Sequence, residues 1–557
     1  FLNETTGDVV FKKNFAERAG GAILAKQHVQ VQGNLGNIQF EGNSAQYAGG
    51  AILCGSLDSG MLGHIDITDN LGSVCFTKNL SASKIRVMNS GEDYAGGGAL
   101  WGKDISISSN LGDISFSENQ GGSVSAIGRY VGGGAIFSTE NTRILENSGT
   151  ISFIRNRGQG LANAPIPSPE ESKDEEKKES EETNTENLKI DTVTASILCA
   201  SHGSQEGIEN LKEDVRGGGA IFSSCVDIQN NKGHIGFGYN SGGGAENSIA
   251  QHHDLAIIGG GAILGTSKVV VRGNQSVAFL ENFTSGVKDC GGAILSRDVH
   301  LEGNAKLEFN TNGSSFLGGA VCALSGEVHI QDHLGKVSFV ENRTRYGGGA
   351  ISAAKESVII SGNRDSVEFK ENVVFGHPAS ENPEENLFGR YSGGGAILAK
   401  KFVEIKDNAD TVLFTGNRAG AFGGAILVGS LESSSGGKFG DQVEDEGAVL
   451  SITGNSGDVV FCGNSTSVAV SATEKQFGGG AIHTKELKIS ENQGAVSFLS
   501  NRSATGAAVR ISDSGSVVLR ALGGDITFDG NLTFDGKYEA IYFAGPSSRI
   551  QELSASS

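Results

Sequence analysis

The chain has 557 residues, among them 84 Gly and 28 Phe but only 6 Pro, 2 Met and 1 Trp, and a formal net charge of −20. Glycine at about twice its usual share without a G-X-Y period excludes collagen, and the phenylalanines exclude a polar low-complexity tract. The charge argues against nucleic acid or an anionic membrane as partner, because both need clustered cations.

The first element is GDVVFKKN at 7–14, a short alternating strand that ends in FxxN. The chain therefore opens inside a repeat, with no signal peptide ahead of it, and reads as a piece of something longer. FEGNSAQYAGGAIL follows at 40–53, and a near copy, FTGNRAGAFGGAIL, stands at 414–427. GGA followed by Ile, Leu or Val occurs twelve times, with a worn copy, GAAV, at 506–509, and FxxN occurs fourteen times between Phe11 and Asn531. Such self-similarity signals one elongated solenoid and overrides the three or four domains that length alone suggests.

From the first Gly of GGA to the next Phe of FxxN is 18–21 residues in ten of twelve cases, and from that Phe to the next GGA is 9 in five cases. The minimal repeat is about 27–31 residues. KVVVRGNQSVAFLEN at 268–282 shows its grammar: Val269 and Val271 alternate, GN breaks the run, Val277 and Phe279 alternate, and EN breaks it again. Period-two runs of this kind are strands, and GGAIL supplies a third short apolar run. Three strands and three turns make one coil of an all-β parallel β-helix of about 13 coils, right-handed by the crossover preference. A length on the order of 60 Å follows from the inter-strand spacing. Phe is expected to stack coil on coil. Asn is expected at a turn, bonding along the stack and tolerating a left-handed backbone, and GGA at a tight corner.

Inserts stretch the repeat at roughly 80–95, 120–131, 157–216, 241–258, 373–392, 429–447 and 465–477. Six of the seven follow an FxxN and should emerge along one edge, the usual place for a binding surface. The longest carries nine acids, four lysines and three prolines between 163 and 189 and is expected to be a disordered, protease-sensitive tether. The chain thus divides into N-terminal coils at 1–158, an acidic linker at 159–216, the main array at 217–531 and an end segment at 532–557.

Apart from Glu118, Glu281, Glu341 and Glu371, which precede the Asn of FxxN and read as a solvated edge, no acids repeat at one offset as a β-helix polysaccharide enzyme would need, and no P-loop, HExxH, GxSxG or calcium nonapeptide occurs. The chain is read as no enzyme, with no catalytic residue, metal site or cofactor. His252, His253 and Asp254 form the densest metal-like cluster but lie in an insert, where an exposed loop is the plainer reading. The NxS/T triplets at Asn79, Asn282, Asn342, Asn501 and Asn531 sit on FxxN and reflect turn composition. Seven cysteines form no zinc spacing and share no offset, which leaves pairing through inserts, such as Cys199 with Cys225, open. No run of about twenty apolar residues spans a bilayer as a helix, so no direct membrane insertion by this piece is expected.

Twelve GGA[ILV] and fourteen FxxN, interleaved over residues 11–531 and followed by SVVLRALGGDITFDGN and EAIYFAGPSSRI, resemble the chlamydial polymorphic membrane proteins. The resemblance implies an autotransporter passenger at the outer membrane or cell surface, or secreted after processing. It implies an adhesin that binds a host epithelial receptor protein, a growth-factor receptor being the association of the D-type, with self-association left open. It also ties adhesion to the tetrapeptides. Carried onto this chain, the FxxN residues are Phe11, Asn14, Phe40, Asn43, Phe279, Asn282, Phe339, Asn342, Phe369, Asn372, Phe414, Asn417, Phe498 and Asn501. The GGA[ILV] residues are Gly20, Gly21, Ala22, Ile23, Gly49, Gly50, Ala51, Ile52, Gly348, Gly349, Ala350, Ile351, Gly423, Gly424, Ala425 and Ile426. The alternative is an envelope coat protein crosslinked through cysteines, with a polysaccharide-active enzyme a distant third.

Overall fold

A computed structural model describes residues 1–56, 61–81, 85–86, 93–122, 130–158, 214–243, 256–284, 289–376, 392–433, 439–467, 477–521 and 523–555. Among the described residues there is no helix; the chain winds as a parallel β-helix. Each FxxN run, such as Val337–Val340, adds one strand to a fourteen-stranded parallel sheet. The registers place Phe on Phe throughout, for instance Phe309 on Phe339 and Phe339 on Phe369. Ring centroids stand 4.7 Å and 4.9 Å apart in those two pairs, the ring planes nearly parallel, and the rings are fully buried. Thirteen such steps carry the column about 60 Å.

Opposite this sheet lies a second one, built from the GGA[ILV] runs and the alternating strands that follow them. Sequence suggests two separate strands here. In several coils they fuse, as in Ile263–Arg272 and Ile294–Glu302, with a register shift between Gly265 and Lys268 absorbing the bend. The third side of the coil is instead a two-residue strand just after FxxN, such as Ser44–Ala45 or Arg343–Thr344. Alternation puts Val, Ile and Leu of both long sheets inward against the Phe column in one continuous core.

GGA behaves as a corner. Gly348 has φ +65°, and a Cβ there would meet the Ile351 carbonyl oxygen at 2.1 Å. On Gly349, whose φ is unremarkable, a Cβ would meet the Gly395 carbonyl oxygen of the next coil at 2.0 Å. The first Gly turns the chain and the second lets two backbones touch. The expectation that the FxxN Asn adopts the left-handed region is corrected. The residue before it does so, as at Glu281 (φ 50°), Glu341 (φ 54°) and Glu371 (φ 53°). The turn is made one residue early, which leaves Asn free to aim its amide inward along the stack.

The coils on either side of residues 159–213 pair directly: Ile151–Ile154 lies on Ile235–Gly238, and Phe153 stacks on Phe237 at 4.8 Å. The boundaries drawn at 158 and 217 therefore leave the array undivided. The expected disorder of 159–216 falls almost wholly outside the described residues.

Candidate functional site

The tetrapeptides sit inside the coil. Asn342 is typical: its N–H and Nδ2 each donate to Asn372 Oδ1 at 3.0 Å, and Nδ2 also donates to the Phe309 carbonyl at 2.9 Å. Its own Oδ1 accepts from Asn312 N–H and Nδ2, both at 3.0 Å. The same arrangement links Asn43, Asn282, Asn372, Asn417 and Asn501 to their neighbours. Phe40, Phe279, Phe339, Phe369, Phe414 and Phe498 are buried, as are Gly49–Ile52, Gly348–Ile351 and Gly423–Ile426. The two end coils differ: in the first, Phe11, Gly21, Ala22 and Ile23 are half-buried and Asn14 is exposed, and in the last, Phe528 is half-buried. In every other coil a partner could reach these side chains only by opening the core.

Three structural features escaped the sequence reading. The first is a second asparagine ladder, at the break before each Phe strand, which runs from Asn34 through Asn70, Asn110, Asn147, Asn231 and Asn274 to Asn304 and resumes from Asn363 to Asn492. These asparagines lie eight or nine residues before the Asn of FxxN, a spacing that could have revealed them. His333 fills the one gap. Its Nδ1 accepts from Asn304 N–H at 3.2 Å, and Nε2 donates to the Leu301 carbonyl at 2.9 Å. Burial pushes its pKa down to about 4, so the rung is a neutral imidazole.

The second feature is an apolar cluster outside the main core. The residue after GGA[ILV] points outward and is itself buried, as with Leu53, Trp101, Phe137, Phe222, Leu264, Leu295, Leu398 and Leu427. Where the residue before GGA is Gly, the next coil's side chain fills the space: a Cβ on Gly347 or Gly393 would meet Leu398 or Leu427 at 2.4 Å and 2.3 Å. The cluster turns polar at His483, which burial and the neighbouring Arg510 cation hold well below the ordinary imidazole range. The third is a row of histidine–carboxylate pairs on the outer face of the GGA sheet. His300 bonds Asp298 at 2.9 Å and Glu302 at 2.8 Å and stacks on His329 at 4.4 Å. Hydrogen bonding to Asp298 holds His300 above its usual pKa.

The buried apolar cluster underlies the edge where the inserts begin and end. Short exit strands pair with one another from coil to coil, as in Ser44–Ala45, Leu80–Ser81 and Gln120–Gly121. Return strands do the same, with Gly96, Gly132, Gly217 and Gly259 in register. The insert at 429–447 instead follows a GGA strand as an antiparallel hairpin of Ser430–Ser433 and Phe439–Glu444. Leu431 and Val443 of that hairpin pack on the outer cluster. His252, His253, Asp254 and Cys199 lie outside the described residues. Among the described residues, Cys54, Cys75, Cys225, Cys290, Cys322 and Cys462 form no disulfide, and burial pushes the Cys54 thiol up to about 11. No group of three or more His, Cys, Asp or Glu among them could hold a metal, and they include no helix long and apolar enough to cross a membrane.

A coil defined by stacked Phe, two amide ladders and a glycine corner is that of a parallel β-helix repeat protein displaying inserts from one edge. The Chlamydia polymorphic membrane protein repeat matches residues 8–26, 37–55 and 411–429. The whole chain is 45% identical over 579 residues to the probable outer membrane protein pmp21 of Chlamydia pneumoniae, covering 34% of that protein. It is 36% identical over 610 residues to the probable outer membrane protein PmpD of Chlamydia trachomatis serovar D, covering 37% of it. No solved structure matches. The chain belongs to the chlamydial polymorphic membrane proteins and spans about a third of the length of these relatives. Both relatives are named as probable outer membrane proteins.

Proposed function

We propose that this chain is the adhesive passenger of an autotransporter, binding a host epithelial surface protein through its outer faces and the inserts along one edge. The observation that carries this reading is the division of labour in the coil. The repeated tetrapeptides are consumed in holding the stack, while the exit and return strands that flank the inserts pair from coil to coil along one edge. FxxN and GGA[ILV] then support adhesion by keeping the platform ordered rather than by touching the receptor. The relatives are named for a place and not for a reaction, which accords with a binding role. Cys75, Cys225 and Cys462, half-buried on the coil, keep a crosslinked coat as the second reading.

The test is saturable binding of the labelled chain to epithelial cells, competed by unlabelled chain and measured with and without reductant. Saturable, competed binding under reducing conditions supports the adhesin. Cell binding that is absent, together with thiol-dependent multimers, favours the coat.

A further inference from the structure

Six of the short strands after FxxN, Arg343–Thr344, Val373–Val374, Arg418–Ala419, Ser465–Thr466, Arg502–Ser503 and Leu532–Thr533, form one parallel sheet. Their first residues lie in register, so Arg343, Val373, Arg418, Ser465 and Arg502 make a single column along the rod. The three arginines are exposed and occupy alternate coils. This spacing keeps like charges one coil further apart than direct stacking would.

The column is anomalous in an acidic chain. Elsewhere on the coil, cations meet carboxylates, as in Lys12 with Glu41, Arg272 with Glu302, Lys336 with Glu368 and Arg520 with Glu552. Among the described residues Arg343, Arg418 and Arg502 join no ion pair; Arg502 instead lies over the Phe534 ring at 5.8 Å from its centroid. The turn position two residues upstream is Glu341 in the first of these coils and Glu371 in the next, the latter 3.6 Å from Lys370. In the later coils it becomes Gly416, Gly463 and Ser500, so among the described residues no acid occupies this turn position toward Arg502.

We propose that this column binds an acidic, extended segment of a partner protein, lying parallel to the rod axis with one carboxylate on each arginine. The coil step measured along the Phe rings is 4.8 Å, so arginines two coils apart stand about 9.6 Å apart. A polyproline II segment repeats a face every three residues, or about 9.3 Å, whereas a β-strand repeats a face every two residues, or about 6.8 Å. Acids at i, i+3 and i+6 of a polyproline II segment therefore match the column, and acids on one face of a strand do not. Val373 and Ser465, both half-buried, leave low ground between the arginines. A long polyanion such as a sulfated polysaccharide or a nucleic acid would run past the column and meet the rest of a chain of charge −20, whereas a short acidic segment meets the column alone.

This assignment rests on the adhesin reading only for where the partner resides. The test is fluorescence anisotropy of a labelled (Glu-Pro-Pro)3 peptide with the 557-residue chain. A control peptide carries its three glutamates at i, i+2 and i+4. The expected result is affinity at least about tenfold higher for the three-residue spacing, weakened by salt. The triple variant Arg343→Ala, Arg418→Ala, Arg502→Ala should lose at least about tenfold in affinity while keeping its melting temperature. Equal binding of the two peptides, or of the variant, overturns the proposal. So does tight, length-dependent binding of heparin fragments to a chain that ignores the peptide, which would assign the column to a polysaccharide. Cell binding measured in parallel separates the two readings. A wild-type chain that binds peptide but not cells sinks the adhesin and leaves the column; a variant that loses peptide but keeps full cell binding removes the column from adhesion.

Discussion

Replacing Asn342 by Ala tests whether the FxxN motif holds the coil or meets a receptor. The substitution leaves the main-chain N–H at 342 on Asn372 Oδ1 but removes the acceptor that Asn312 N–H and Nδ2 share and the donor to the Phe309 carbonyl. The groups that lose a partner are buried in the coil. At about 1–3 kcal/mol for each unsatisfied buried group, the cost is about 4 kcal/mol. A nearest-neighbour solenoid confines that cost to adjacent coils. Amide hydrogen exchange should therefore accelerate by about a thousandfold in the coils carrying Phe309, Phe339 and Phe369, while those carrying Phe76 or Phe498 stay protected. Cell binding should fall only as far as these coils disorder. The neighbouring exposed Arg343→Ala is the control for stability and should shift it by less than about 0.5 kcal/mol. Loss of cell binding by Asn342→Ala with unchanged exchange would refute the reasoning and place the motif in direct contact with the receptor.

His333 supplies a pH dependence. With a folded pKa near 4 against an ordinary 6.5, its contribution is full above pH 6.5 and is lost as pH falls from there toward 4, amounting to about 3 kcal/mol. His333→Asn, which restores the amide rung, should flatten urea midpoints of that region between pH 7 and 4.5; an unchanged slope would contradict the neutral rung. Glu371→Gly relieves a left-handed non-glycine turn that the chain fills with Gly416 and Gly463 at equivalent positions, and should stabilise its coil by up to about 1 kcal/mol. Gly349→Ala drives a Cβ into the Gly395 carbonyl and should unfold the neighbouring coils, seen as local loss of exchange protection. Protease cutting inside 163–189 should give two pieces that stay together on native size exclusion and separate in urea, because Phe153 and Phe237 remain stacked; separation under native conditions would contradict the undivided array.

The repeat was legible because Phe and GGA each have one residue type that fits. Only a flat ring fills the column at a step of 4.8 Å, and only Gly tolerates the Gly349 contact with the next coil. The outer cluster was not legible, because Leu398, Phe222, Trp101 and His483 meet the same demand with different side chains, and no identity repeats. The left-handed residue was misplaced by one for a related reason. Glu, Gly, Lys, Arg, Tyr and Ser all occupy it, whereas the invariant Asn beside it attracts attention by its ladder rather than by its backbone. The arginine column was hidden by its own alternation: Arg343, Arg418 and Arg502 become neighbours of a kind only when coils of unequal length are put in register.

The pairing of exit with exit and return with return has a consequence for how such surfaces diversify. From Phe279 to the next GGA is 12 residues and from Phe153 to the next GGA is 65, yet the steps Phe279–Phe309 and Phe153–Phe237 differ by only 0.1 Å. The scaffold is blind to what is hung on it. Insertion, deletion and exchange at this point of the coil therefore change what the edge carries while the stacking step of the rod is kept. The relative at 36% identity still aligns along the whole of this chain. An antibody raised against such an excursion should recognise one relative alone, whereas one that reads the rod should cross between them.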